Sequence, residues 1–135
     1  MRLNAMTFLW ARTALVWFAI TVCFGMFMGI TQNMDAAPAH AHMGVLGWLS
    51  SAVFALIYAI ARPWPKGAKG PRLHWAAHTL GVAAMTVSLA IVLRTGDMRY
   101  LIGTKIGASV VVLSVLAFVA MTWSRLKAEG PVAAE

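Results

Sequence analysis

The chain has 135 residues, of which 61% are hydrophobic and only 11% charged, with a formal net charge of +7 at pH 7. So apolar a composition excludes an ordinary water-soluble domain of this size, and the length leaves room for one domain. Four stretches at 13–31, 43–61, 74–93 and 104–123 are each long enough to cross a hydrocarbon layer about 30 Å thick.

The first stretch follows Arg2 and Arg12, outlasts the apolar core of a signal peptide and has no A-x-A site directly behind it, so it is expected to remain as a span. Its single cysteine, Cys23, has no partner for a disulfide and reads as a small buried hydrophobe. Gly25 and Gly29 permit close approach of another helix. The loop 32–42 leads into the second stretch through His40 and His42. The next loop, 62–73, mixes Pro63, Pro65 and Pro71 with basic residues, which ends one helix and starts the next. His74 and His78 open the third stretch. Arg94 and Arg99 lie in the loop 94–103, and Gly103 and Gly107 stand at the head of the fourth, where Lys105 can snorkel.

Connections this short predict antiparallel neighbours, giving an all-α, polytopic, four-helix up-down-up-down bundle as a single domain over 1–135. An even number of spans puts both termini on one side. Arg2, Arg12, Arg62, Lys66, Lys69, Arg72, Arg125 and Lys127 fall on the tails and second loop, against Arg94, Arg99 and Lys105 on the opposite side. Cytoplasmic loops concentrate Lys and Arg, so both termini are expected in the cytoplasm and the His40/His42 loop in the periplasm of a bacterial inner membrane. Topology then accounts for the positive charge without a nucleic-acid partner; the expected surroundings are lipid.

The acids Asp35, Asp97, Glu129 and Glu135 all fall outside the spans, which leaves no paired carboxylates, Ser-His-Asp set or phosphate loop. The four histidines carry the remaining chemistry, because imidazole titrates near neutrality and ligates haem iron, copper and zinc. At helical spacing His40, Gly44, Gly47 and Ser51 share one face, a groove nearly without side chains that either takes a flat macrocycle or packs against another helix, with His40 and His42 then as interfacial residues. His42 heads an adjacent wall of Leu46, Leu49 and Val53. His74 and His78, one turn apart, can chelate a divalent metal or stand as interfacial residues beside Arg72 and Trp75. Antiparallel spans put His42 near the outer edge and His78 near the inner one, a depth difference of roughly 20 Å at about 1.5 Å per residue. One subunit therefore does not place both on one iron, and the second ligand of a haem at His42 would be His40 or His42 of another copy, a Met, water or nothing. Arg94 and Arg99 either meet haem propionates or stand as solvated loop residues.

The run His40-Ala41-His42-Met43-Gly44-Val45-Leu46-Gly47-Trp48, continuing through Phe54 and Tyr58, resembles the second transmembrane helix of subunit I of the haem-copper oxidases, nearest the nitric-oxide-reductase branch. With Leu73-His74-Trp75 the chain also resembles small four-helix bacterial proteins described as oxidase subunit I-like. The resemblance implies His42 as a haem ligand. The later histidines that complete two haems and a copper centre in the large subunit are missing, so autonomous oxygen or nitric-oxide reduction is not expected.

The leading expectation is a homo-oligomeric protein binding haem b through His42, with His40 assisting and Gly44 and Gly47 lining the slot. Electron transfer, haem handling or sensing would follow, together with a respiratory-chain partner. The second is a copper-binding accessory protein using His40 and His42 with Met34 or Met43 as soft ligands. The third is a structural bundle packed on a larger respiratory enzyme. Covalent c-type haem attachment is excluded by the single cysteine.

Overall fold

The computed structural model describes residues 4–126. Arg2 and Lys127, counted above for topology, lie outside these described residues. The described chain is all-helical and contains no strand: α1 (Ala5–Thr31), α2 (Ala37–His42) continuing through a π-helical segment (Met43–Leu49) into α3 (Ser50–Ile60), α4 (Gly70–Thr95), a 3-10 turn (Met98–Tyr100) and α5 (Leu101–Trp123). Four helices, Ala5–Thr31, Ala37–Ile60, Gly70–Thr95 and Met98–Trp123, are long and apolar enough to cross a membrane. These are the helices of a multi-pass membrane protein.

Each of the four begins ahead of its predicted start, since the apolar run marks the hydrocarbon length while capping marks the helix. Asn4 caps α1: its side-chain oxygen accepts from the Met6 and Thr7 N–H groups at 2.9 and 3.0 Å. At the other end Gln32 adopts a left-handed conformation (φ 52°), and its N–H returns to the Gly29 and Met28 carbonyls. Pro38 sits in the first turn of α2 and Pro71 in that of α4, where a missing N–H costs no hydrogen bond. Gly96, at φ 70°, closes α4, and the Asp97 side chain starts the 3-10 turn by accepting from the Arg99 N–H at 3.0 Å.

Within the second crossing the Ser50 N–H bonds to the Val45 carbonyl five residues back, and Ser50 Oγ donates to the same oxygen at 2.9 Å. A π-helical turn holds one residue more than an α turn and shifts every face beyond it. The predicted wall below His42 is divided. Leu46 turns inward against the cluster of Trp17, Met43, Val82 and Val111, whereas Leu49 and Val53 stay exposed.

The bundle is apolar on its outside as well as in its core, and its few polar span residues turn inward. Its interior holds Thr7, Thr21, Ser51, His74, His78, Thr86, Ser114 and Thr122, and its outer surface presents Leu15, Val16, Ile30, Leu80, Leu113 and Leu116. Cys23 is exposed on that outer surface and not buried as expected. The reason is phase: Ala14, Trp17, Thr21 and Met28 define the inner face of α1 and leave position 23 outside it.

One end of the bundle gathers the start of α1, the end of α3, the start of α4 and the end of α5. Asn4 Nδ2 donates to the Tyr58 carbonyl (2.9 Å), the Arg62 N–H donates to the Arg125 carbonyl (3.1 Å), and Gly70 lies against Met121. The tightest approach joins α4 to α5. A Cβ on Gly107 would stand 2.5 Å from the Met85 amide nitrogen and 2.7 Å from the Gly81 carbonyl oxygen. Gly25 instead accommodates His40, and Gly29 faces open space, so the first glycine pair does not join two helices along its length. Gly107→Leu is therefore expected to destabilise the bundle by about 1–3 kcal/mol through overpacking against backbone that cannot retreat. Gly29→Ala should be close to neutral. Thermal unfolding of the two variants in detergent checks the difference.

Candidate functional site

The two outer histidines project in different directions. On the predicted face, His40 packs over Gly25 (a Cβ there would lie 2.8 Å from its Cε1), Gly44 meets the Thr21 methyl and Gly47 abuts the Trp17 indole. Ser51, next on that face, is fully buried. The face exists as the spacing predicts, but α1 fills it. A Cβ at Gly47 would lie only 2.6 Å from the Trp17 ring, so the expected haem slot over Gly44 and Gly47 is corrected to a seat for the α1 side chains. The His40 ring is half-buried near Phe24 (ring centroids 6.2 Å), with Nδ1 buried and unpartnered.

His42 projects outward and is exposed. Its Nδ1 lies 2.7 Å from the Pro38 carbonyl. A carbonyl oxygen only accepts, so this contact puts the ring hydrogen on Nδ1 and leaves the Nε2 lone pair open, the arrangement in which a protein holds a ligating imidazole. Met43 is buried in the core. His40, His42 and Met43 thus project towards α1, the surface and the interior respectively, and the expected copper set is not assembled.

The inner histidines are buried and not interfacial, His74 at 3% and His78 at 1% exposure. They share a face as predicted (ring centroids 6.0 Å) inside a cage of Trp10, Phe54, Tyr58 and Phe118. His74 stacks on Phe118 at 4.9 Å, and Phe54 sets its edge against both imidazoles. The Tyr58 hydroxyl has no other acceptor, so it donates to His74 Nδ1 (3.2 Å) and leaves the hydrogen on Nε2, which is buried without a partner. His78 Nε2 donates to the Leu46 carbonyl of the π-helical segment at 3.0 Å, and its Nδ1 lies 3.1 Å from Ser114 Oγ. Both nitrogens of His78 are engaged, so the expected His74/His78 chelate does not form. Trp75 is half-buried, and its indole N–H donates to Thr13 Oγ1 at 2.8 Å.

The depth estimate for His42 and His78 is also corrected. His78 reaches the Leu46 carbonyl, about one turn beyond His42, because α4 starts at Gly70 and carries His78 two turns inward. Their opposite directions, not their depths, keep them off one iron. Among the described residues no three His, Cys, Asp or Glu side chains come together as a metal group. Arg99 is committed to Asp97, with an Nη2 to Oδ2 distance of 2.7 Å, whereas Arg94 lies 5.5 Å above the Phe27 ring. Of the expected propionate pair, Arg99 thus has a carboxylate partner and Arg94 an aromatic one.

The sequence reading missed Trp10 and Ser114 as partners of the inner histidines. The buried residues of α5, Gly107, Val111, Ser114, Phe118 and Thr122, recur at helical spacing, and this periodicity was the available signal. No protein-family model, curated protein or solved structure matches the chain.

Tyr58→Phe leaves His74 Nδ1 buried without a donor and is expected to cost about 1–3 kcal/mol, measured by thermal unfolding in detergent. At the surface, the side-chain hydrogen bond from Arg99, followed by its backbone N–H, holds the Asp97 carboxyl below the ordinary carboxylate value. The contact is present above that ordinary value and is lost as pH falls through the lowered one. Carboxyl NMR titration is expected to show a low Asp97 midpoint that rises towards normal in Arg99→Ala.

Proposed function

We propose that this chain is a haem b-binding protein of a bacterial inner membrane, in which His42 holds the iron at a contact between two copies. The carrying observation is the His42 ring, exposed, with Nδ1 tied to the Pro38 carbonyl and Nε2 free. Beside it Val45, Trp48, Leu49 and Val53 form an exposed apolar surface, and Phe18 packs on Trp48 (ring centroids 4.7 Å). Such a surface excludes water from one side of a macrocycle and asks for a second apolar surface on the other. His40 faces α1, so the second imidazole to hold the group would be His42 of a second copy, as in a twofold dimer. Arg94 supplies the cation for a propionate. When bound, the iron supplies a one-electron couple, which suits exchange with a respiratory-chain partner, haem handling or sensing.

The proposed topology is up-down-up-down with both termini cytoplasmic. Its support is the distribution of Arg62, Lys66, Lys69, Arg72 and Arg125 at one end of the bundle and Arg94, Arg99 and Lys105 at the other.

The decisive measurement is the absorption spectrum of protein purified from haem-replete cells. A Soret band at about one haem per two chains is expected, lost in His42→Ala and retained in His40→Ala and His74→Ala. Colourless wild-type protein, or a band insensitive to His42→Ala, would refute the proposal.

A further inference from the structure

A second feature, independent of the haem reading, lies at the opposite end of the bundle. Between the start of α1, the loop after α3 and the start of α4 runs a groove of about 840 Å³. Met6, Pro63, Trp64 and Pro71 give it an apolar floor, while Lys69 and Arg72 stand exposed at its lining. The loop wall is latched in place: Arg125 lies 4.8 Å above the Trp64 ring and donates from Nη1 to the Pro63 carbonyl at 2.9 Å. Asn4 fixes the opposite wall through its bond to the Tyr58 carbonyl.

Among the described residues the charge at this end is of one sign. Among the described residues the only ion pair is Arg99–Asp97, and both described acids, Asp35 and Asp97, belong to loops at the far end. Lys69 and Arg72 consequently have no carboxylate partner among those residues. A groove with an apolar floor, two cations unpaired among the described residues and a position at the mouth of a membrane bundle matches an amphiphile with an anionic phosphate and an acyl chain. A free phosphate meets the cations and leaves the apolar floor bare; a zwitterionic lipid meets the floor and brings its own cation to Lys69 and Arg72.

We propose that this groove binds one anionic phospholipid, its phosphodiester held by Lys69 and Arg72 and an acyl chain lying along Trp64 and Met6. Native mass spectrometry of the full chain in detergent tests this by comparing phosphatidylglycerol with phosphatidylcholine of the same acyl chains. One phosphatidylglycerol is expected to be retained in preference to phosphatidylcholine. K69Q/R72Q, which changes only exposed side chains, should weaken retention about thirtyfold, at about tenfold per 1.4 kcal/mol and about 1 kcal/mol for each cation. A68W, which fills the groove and leaves both cations, should weaken it as well. Several results would overturn the proposal: equal retention of the two lipids, unchanged retention in K69Q/R72Q or A68W, or full displacement by millimolar inorganic phosphate. Binding that emerges only in E129Q/E135Q would assign the groove to the chain's own acidic tail and overturn it too.

Discussion

Inside hydrocarbon a polar group has no water to return to, and this rule governs the interior of the bundle. The His78 imidazole meets it by reaching in two directions, to the Leu46 carbonyl on the second crossing and to Ser114 on α5. One side chain thereby ties three helices at a single level. The partner on the second crossing is a backbone carbonyl of the π-helical segment. Helices that gain little from hydrophobic contrast with lipid rely on such bonds and on close packing, and the Gly81 to Gly107 approach supplies the packing half.

Around that bond the aromatic cage completes the core. Trp10, Phe54, Tyr58 and Phe118 surround His74 and His78 with edges and faces, and Tyr58 supplies the one hydrogen bond that His74 makes. The inner pair is thus a structural polar centre with a single unfilled position at His74 Nε2. The outer pair divides its labour differently, His40 sealing the joint with α1 while His42 remains available at the surface. The proposed haem role rests on His42 and leaves the interior chemistry untouched.

Four spans and their all-helical character were legible because long apolar runs admit few alternatives. Helix starts were less so: Asn4 lies well upstream of the run it caps, and Arg12 breaks the run without breaking the helix. The face shared by His40, Gly44, Gly47 and Ser51 was legible, but its occupant, a macrocycle or another helix, was left open. Spacing tells which residues share a face, but only three-dimensional packing tells whether an indole or a cofactor lies against it. Trp17 carries no mark in the sequence that it belongs to Gly47. Similarly, nothing in the order of residues announces the π turn, or that Leu46 lies inward while Leu49 stays outside. The inner histidines looked interfacial because apolar length alone measured their depth; the earlier start of α4 moved them into the core.

The extra residue in Met43–Leu49 works as a phase setter for the whole upstream portion of its crossing. Each helical residue turns the chain by about 100°, so removing one from this stretch would rotate α2 by about that angle relative to α3. His40 would leave its berth against Gly25, and His42 would swing away from the lipid side. Which imidazole meets the outside is therefore decided by the winding of residues that carry no titratable group at all.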